Sequence, residues 1–177
     1  DTAHFCSHPC RPRRGTKRTG PISRRSTMSP DFVTIHSICS SAPPDGKNLS
    51  PPLQWTGVPA GTKAFAVFCE DHAVGNPPPF VHWVIYNIPS HVHILSEDSG
   101  KQGSLRGAKD GPNDWKRGGY GGPCPPIGTH RYFFKLYALD TVLPDLNGPT
   151  KTQLLDAMKG HVLAEAQLIG TYKKNKP

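Results

Sequence analysis

The sequence predicts a mainly β fold, an antiparallel β-sandwich with one late helix. Several short apolar segments are separated by connections rich in turn residues, with 18 Gly and 20 Pro among 177 residues. Only one late segment, residues 150–158, begins with a helix-capping signal. The length fits one folded domain, and no apolar run is long enough to span a membrane as a helix.

Most strands are predicted from the spacing of apolar residues. Residues 32–36 alternate apolar and polar side chains, and residues 53–55 form a short extended piece. Residues 64–71 are apolar on both faces, which suits a strand in the middle of the sandwich. Residues 132–139 are predicted to form another core strand.

Residues 80–88 are predicted to form a further strand with two different faces. Strict alternation places Trp83 on one face and His82 on the other. Trp55 and Trp83 are expected in the core rather than against a ligand.

The second half of the chain contains the longest connection and the helix. Residues 91–115 show no strong periodicity and are predicted to be a long loop. Thr150 is a suitable N-cap for a helix over residues 150–158 that ends near Gly160. Residues 162–172 are predicted to form a helix end followed by a last strand.

Most of the positive charge lies in the first 27 residues. The chain carries +8, and residues 1–27 contribute +6 through seven Lys/Arg and one Asp, which leaves +2 for residues 28–177. This segment has almost no large apolar residue, so it cannot bury enough surface to offset its ordering entropy. We therefore expect a basic, disordered tail over residues 1–27 and one domain over residues 28–177. Nucleic-acid binding would rest on the tail alone and is not expected of the folded domain.

The cysteines do not indicate a disulfide framework, because there are five of them at irregular spacing. Reduced thiols are the simplest interpretation, and they favour a cytoplasmic location. Cys6 and Cys10 lie near His4 and His8 and could bind a metal, but no second ligand pair stands at zinc-finger spacing. We expect no metal and no cofactor.

A loop rich in glycine and proline, residues 119–131, precedes the strand over residues 132–139. Glycine lets the backbone approach a ligand closely, and proline holds such a loop in one shape. Backbone N–H groups of these turns can form a concave site for an anion. His130 and Tyr132 are two residues apart and share one face of a strand. The pattern indicates a pocket for a small ligand.

Several motifs resemble the phosphatidylethanolamine-binding protein family. They are GYGGPCPP and HRYFFKLYALD within residues 119–140, DGKNLSPPLQW at residues 45–55, FVHW at residues 80–83 and MKGHVLAEA at residues 158–166. The resemblance runs in order from about residue 29 to about residue 174. It is strongest to the prokaryotic branch described as Raf-kinase-inhibitor-like. It implies a Greek-key-like β-sandwich with a short C-terminal helix.

The resemblance also implies a site for a small anion such as a phosphate group. Its members, carried over by motif, are Asp71, His82, His130 and Tyr132, with backbone from Gly122 through Cys124 to Pro126. Imidazole, phenol and loop N–H groups could donate to phosphate oxygens. Asp71 would hold an imidazole in one tautomer or receive a ligand ammonium group.

The same side chains also have structural interpretations. His82 could be a hydrogen-bonded core histidine, His130 a solvated loop residue and Asp71 an Asx cap of a turn. The chain departs from the family pattern after Asp71, because the usual Asp-Pro-Asp-Ala-Pro is replaced by Asp-His-Ala-Val-Gly. The second acid and both prolines are therefore absent from this wall of the expected pocket.

The resemblance implies a non-enzymatic protein that binds phosphate-bearing small molecules or phospholipid head groups. A regulatory protein partner, a kinase or a protease, is also implied, and a homodimer is left open. The alternative is a hydrolase or phosphotransferase that uses the same pocket. Its metal-dependent version would use Asp71, His82 and His130, and its thiol version would use Cys124 with His130. No G-x-S-x-G elbow, Walker loop or H-E-x-x-H motif is present.

Overall fold

The computed structural model describes residues 2–4, 34–37, 49–72, 78–125 and 128–173. Their elements, in chain order, are β1 (Thr2–His4), β2 (Thr34–Ser37), β3 (Leu53–Thr56), β4 (Ala64–Asp71), β5 (Phe80–Pro89), β6 (Ile94–Leu95), β7 (Lys109–Asp110), β8 (Thr129–Leu139), α1 (Lys151–Met158) and β9 (Val162–Lys173). One sheet has the strand order β1-β9-β8-β4-β5-β7, and the other has the order β2-β3-β6. The predicted antiparallel, mainly β fold with one short helix is confirmed. No helix in the described residues is long and apolar enough to cross a membrane.

The centre of the larger sheet is β4, which has the predicted bounds and is buried along its whole length. It pairs antiparallel with β5 on one side and with β8 on the other. A strand with neighbours on both edges and cover on both faces is expected to be largely apolar, and this explains the continuous hydrophobic run from Ala64 to Cys69; the two carboxylates that follow, Glu70 and Asp71, are both paired.

The main core lies between the two sheets. Phe65 and Val67 of β4 point into it, together with Trp55 of the smaller sheet and Trp83 of β5. Both tryptophans are at most 1% exposed, so their expected place in the core is confirmed. The opposite face of β4 carries Phe68, which belongs to a second core that α1 covers.

Helix α1 begins where the sequence predicts it. The Thr150 side chain accepts from the Gln153 backbone N–H, and the Gln153 side chain accepts from the Thr150 backbone N–H. This capping box satisfies two backbone donors that the first turn leaves without partners. Leu154 and Met158 form the buried stripe of the helix. Gly160, at φ +80°, follows the C-cap and turns the chain towards β9.

Two secondary-structure expectations need correction. Residues 91–115 contain β6 and β7, which are too short, at two residues each, to produce a periodic pattern. Residues 162–172 contain no helix end, because β9 is one continuous strand paired with β8 over its length. Its start, Val-Leu-Ala-Glu-Ala, has good helix formers, but pairing with β8 outweighs this local preference.

Three residues of the predicted tail form a strand of the larger sheet. Backbone of β1 pairs in parallel with β9, with Thr2 opposite Ile169 and His4 opposite Thr171. Backbone hydrogen bonds between strands depend little on which side chains are present, and the outer edge of β9 presents the backbone N–H and C=O groups with which β1 pairs. The rest of residues 1–27 lies outside the described residues, as do residues 32 and 33 of the first predicted strand. The domain boundary at residue 28 stays a prediction.

A buried carboxylate, Glu70, links β4 to its neighbours on the α1 side of the sheet. Its side chain is fully buried and accepts from Lys135 at 2.9 Å and from the His72 ring at 2.8 Å. Lys151, at the start of α1, forms a second ion pair with it. Burial alone would raise the pKa of Glu70, but these donors outweigh it and lower that pKa from 4.5 to about 2.

Candidate functional site

The candidate site lies where one end of the larger sheet brings three strands together. Asp71, the last residue of β4, is paired with Phe80 of β5 on one side and with Tyr132 of β8 on the other. The sequence predicts that the neighbouring ends of β4 and β5 could meet. It does not predict that β8 adjoins β4, because that pairing joins residues about sixty positions apart.

Asp71 and His130 form the closest polar contact of the site. His130 Nδ1 lies 2.6 Å from Asp71 Oδ2, and the two side chains are only 13% and 11% exposed. An ionised carboxylate can only accept, so the imidazole carries its proton on Nδ1. This geometry suits the predicted role of Asp71, which is to fix the tautomer of an imidazole. His130 is therefore a partly buried, paired residue rather than a solvated one.

His82 faces the site because β5 contains a β-bulge. Cys69 pairs with Trp83 and Glu70 pairs with Val81, so His82 has no opposite residue on β4. The predicted alternation, with His82 on the face opposite to Trp83, is wrong for this reason. A bulge places two successive side chains on one side of the sheet and commonly directs one towards a functional site. The His82 ring consequently packs edge-on against Tyr132, with 5.2 Å between ring centroids.

The loop holds His82 through two reciprocal hydrogen bonds. His82 Nδ1–H donates to the Gly121 carbonyl at 2.8 Å, and the Gly121 N–H donates to the His82 carbonyl at 2.9 Å. Burial lowers the pKa of His82, and it outweighs the Gly121 carbonyl and the Asp71 and Asp114 charges, which act in the opposite direction. His82 is therefore a buried, hydrogen-bonded histidine, as one interpretation of the sequence anticipates, and it also borders the site.

Tyr132 forms the floor between the two histidines. Its ring is 2% exposed and stacks on His130 with centroids 6.5 Å apart. Burial raises the pKa of Tyr132, and the charge of Asp71 raises it further, so the phenol keeps its proton. The Asp71 carboxylate is near this hydroxyl, yet neither the hydroxyl nor Asp71 Oδ1 has a partner of good hydrogen-bond geometry among the described residues.

Two exposed aromatic rings, Phe80 and Trp115, border the site. They are 37% and 43% exposed and contact each other edge-on at 4.8 Å. Both also contact the His82 ring, at 5.3 and 4.9 Å. Neither ring is predicted from the sequence to border the site, and Trp115 falls in a segment without periodicity. Two large apolar rings exposed beside polar side chains indicate a surface that contacts a ligand or partner.

The glycine-proline loop adjoins the site through Gly121, which is hydrogen-bonded to His82. Gly122 is partly buried, and Cys124 is exposed at the surface of the loop. The predicted contribution of Pro126 lies outside the described residues. Gly121 is packed so closely that a Cβ atom there would lie 2.1 Å from Cζ3 of Trp115.

Metal binding at this site is not supported by the arrangement of its donors. Among the described residues, no group of three or more His, Cys, Asp and Glu side chains is placed to hold a metal ion. Asp71, His82 and His130 lie close together, but their potential metal-binding atoms face other partners. Asp71 Oδ2 faces His130 Nδ1, and His82 Nδ1 faces the Gly121 carbonyl. The possible ligands Cys6 and Cys10 lie outside the described residues.

A model of the phosphatidylethanolamine-binding protein family matches residues 25–173. The chain therefore belongs to this family, as its motifs indicated. A UPF0098 protein of Methanothermobacter thermautotrophicus is 50% identical over 131 residues, which are 73% of this chain and 86% of the relative. A UPF0098 protein of Aquifex aeolicus is 44% identical over 136 residues, 74% of this chain and 78% of that protein.

Two solved structures share the fold. Escherichia coli YbcL, described as a new member of the mammalian PEBP family, superposes with a TM-score of 0.71 at 30% identity. The alignment covers 81% of this chain and 99% of YbcL. The phosphatidylethanolamine-binding protein homologue CT736 of Chlamydia trachomatis gives a TM-score of 0.69 at 38% identity, over 82% of this chain and 99% of that one. Family and fold together support a binding protein of this class.

Proposed function

We propose that this protein binds a small phosphate-bearing molecule or head group where Asp71, His82, His130 and Tyr132 converge. The main support for the proposal is that these four polar side chains lie together although they come from three different strands. Asp71 and His130 are paired at 2.6 Å, and the His82 ring packs edge-on against Tyr132 beside them, so these side chains have fixed positions before a ligand binds.

A regulatory role is the second part of the proposal. A kinase or protease could be bound if it presented a phosphorylated side chain to this site. The exposed rings of Phe80 and Trp115 would then supply apolar contact area beside the phosphate. Membership of the family supports a binding function in general, whereas a kinase or protease as the partner is our own, more specific proposal.

His130→Ala is expected to weaken binding of phosphate and of phosphorylethanolamine at least about tenfold, because it leaves the buried Asp71 carboxylate without its partner, and an unpaired carboxylate at the site would repel an anion. The measurement is calorimetric titration of the full chain. His91→Ala is the matched control, because His91 is exposed and lies outside the site. Equal affinities in His130→Ala and wild type, or no binding by the wild type, would contradict the proposal.

A second candidate is a thiol-dependent hydrolase, and one observation favours it. Such enzymes need a third group that orients the base, and Asp71 orients His130 at 2.6 Å. Cys124 is exposed in the adjoining loop. If this candidate is correct, Cys124→Ser abolishes turnover of phosphate or acyl esters and leaves phosphate binding unchanged.

A further inference from the structure

His72, the residue that follows β4, is held by three contacts. Its backbone N–H donates to the Arg131 carbonyl at 3.0 Å, which continues the pairing of β4 with β8 by one residue. Its ring Nε2 lies 2.8 Å from Oε2 of Glu70, and the ring packs on Phe133 with 4.1 Å between centroids. Because the pKa of Glu70 is lowered to about 2, this carboxylate is ionised and can only accept. His72 therefore carries its proton on Nε2.

These contacts lie on the face of the sheet opposite to the ligand site. Successive side chains of a strand point to opposite faces, so Glu70 and His72 share one face and Asp71 lies on the other. Glu70 is in turn fixed by ion pairs with two lysines. The Asp71–His130 contact of 2.6 Å thus depends on a residue that has an anchored neighbour on each side.

The anchoring of His72 is specific to this chain. The family pattern Asp-Pro-Asp-Ala-Pro has proline where residues 71–75 read Asp-His-Ala-Val-Gly. A proline at position 72 has no N–H group and could not donate to the Arg131 carbonyl, and its ring could not donate to Glu70. A residue that is stiff by itself is therefore replaced by one that is fixed through its contacts.

We propose that His72 is a positioning residue of the ligand site, which holds the end of β4 against β8 so that Asp71 stays paired with His130. This inference rests on the proposed function and adds a residue that does not touch the ligand. A shift of Asp71 by about 1 Å would break a hydrogen bond of this length. Loss of the His72 side chain should lower the fraction of molecules in which the pair is formed, and the apparent affinity falls with that fraction.

The first test is imidazole ¹⁵N NMR of the full chain without ligand, at about pH 8, where an ordinary imidazole is neutral. In the wild type, His130 should be protonated on Nδ1 and His72 on Nε2. His72→Ala should shift part of His130 to the form protonated on Nε2. His72→Gln, which keeps an N–H donor for Glu70, should preserve the wild-type signals. His161→Ala is the matched control, because His161 also contacts a carboxylate, that of Asp140 at 2.8 Å, at the far end of β8.

The second test is binding of inorganic phosphate, followed by chemical-shift titration. His72→Ala should weaken binding at least about threefold, and His161→Ala should leave it unchanged. In a His130→Ala background, His72→Ala should have no further effect, because the pair that it positions is already lost. A general loss of stability would instead weaken binding equally in both backgrounds.

The outcomes separate this inference from the proposed function. If the wild type binds no phosphate, the proposed function is wrong, and the His130 signals still decide whether His72 positions the pair. If phosphate binds but the His130 signals are unchanged in His72→Ala, or the two substitutions are additive, the function stands and the inference is wrong. If His72→Ala does not fold, His72→Phe takes its place with the same expectations, since it keeps the ring contact with Phe133 and loses the donor to Glu70.

Discussion

Replacing Glu70 by glutamine is expected to lower the free energy of unfolding by about 3 kcal/mol at pH 7. Glu70 is fully buried and pairs with Lys135, Lys151 and His72. Removing one member of a buried ion pair typically costs about 3–5 kcal/mol, and the two lysines are about a quarter exposed, so the lower end applies. The fall of the Glu70 pKa from 4.5 to about 2 corresponds to a similar value, about 3 kcal/mol.

The sign of the pH dependence follows from the direction of this shift. A carboxyl group with a lowered pKa in the folded state stabilises the fold above its unfolded pKa, and this contribution is lost as the pH falls towards its folded pKa. The difference in unfolding free energy between wild type and Glu70→Gln should therefore shrink between pH 4.5 and about pH 2. Urea denaturation across this range measures it, with the exposed Glu97→Gln as control. A difference below about 1 kcal/mol at pH 7, or one independent of pH, would contradict the account.

Gly121→Ala is expected to weaken ligand binding at least about tenfold and to destabilise the fold by about 1–3 kcal/mol. The new Cβ would lie 2.1 Å from the Trp115 ring, so either the ring or the loop has to move. Displacement of the loop breaks the two hydrogen bonds between Gly121 and His82 and misplaces the amides of Gly122 and Cys124.

A second substitution tests whether the cause is steric. Trp115→Ala removes the colliding ring, and because the ring is 43% exposed its loss should be tolerated. In the double variant, Trp115→Ala should restore most of the stability that Gly121→Ala removes, which a double-mutant cycle by urea denaturation would show as a strong interaction. Purely additive effects of the two substitutions would mean that the close packing of Gly121 against Trp115 is not the cause.

The strands were predictable where one local pattern determines them. The uninterrupted apolar run of β4 requires cover on both faces, and its bounds agree with the sequence-based prediction. The helix start was predictable because Thr150 and Gln153 form a local capping box. The continuous strand β9 was not predictable, because its pairing partner β8 decides between helix and strand.

The arrangement of the site could not be predicted from the periodicity of apolar residues. His82 points towards Tyr132 only because one residue is inserted in β5, and a bulge leaves no signal in the alternation of side chains. The pairing of Asp71 with Tyr132 is a long-range contact between β4 and β8.

The most direct test of the central claim is to map the amide chemical shifts of the full chain during titration with phosphorylethanolamine. The largest changes are expected at Gly122, Cys124 and His130, next to the paired Asp71 and His130 side chains. A different cleft, of about 370 Å³, lies on the other side of the sheet and is lined by Lys135, Tyr137, Glu165, Ala166 and Gln167. Changes centred on that cleft, with the Gly122–His130 segment unaffected, would contradict the assignment of the ligand site.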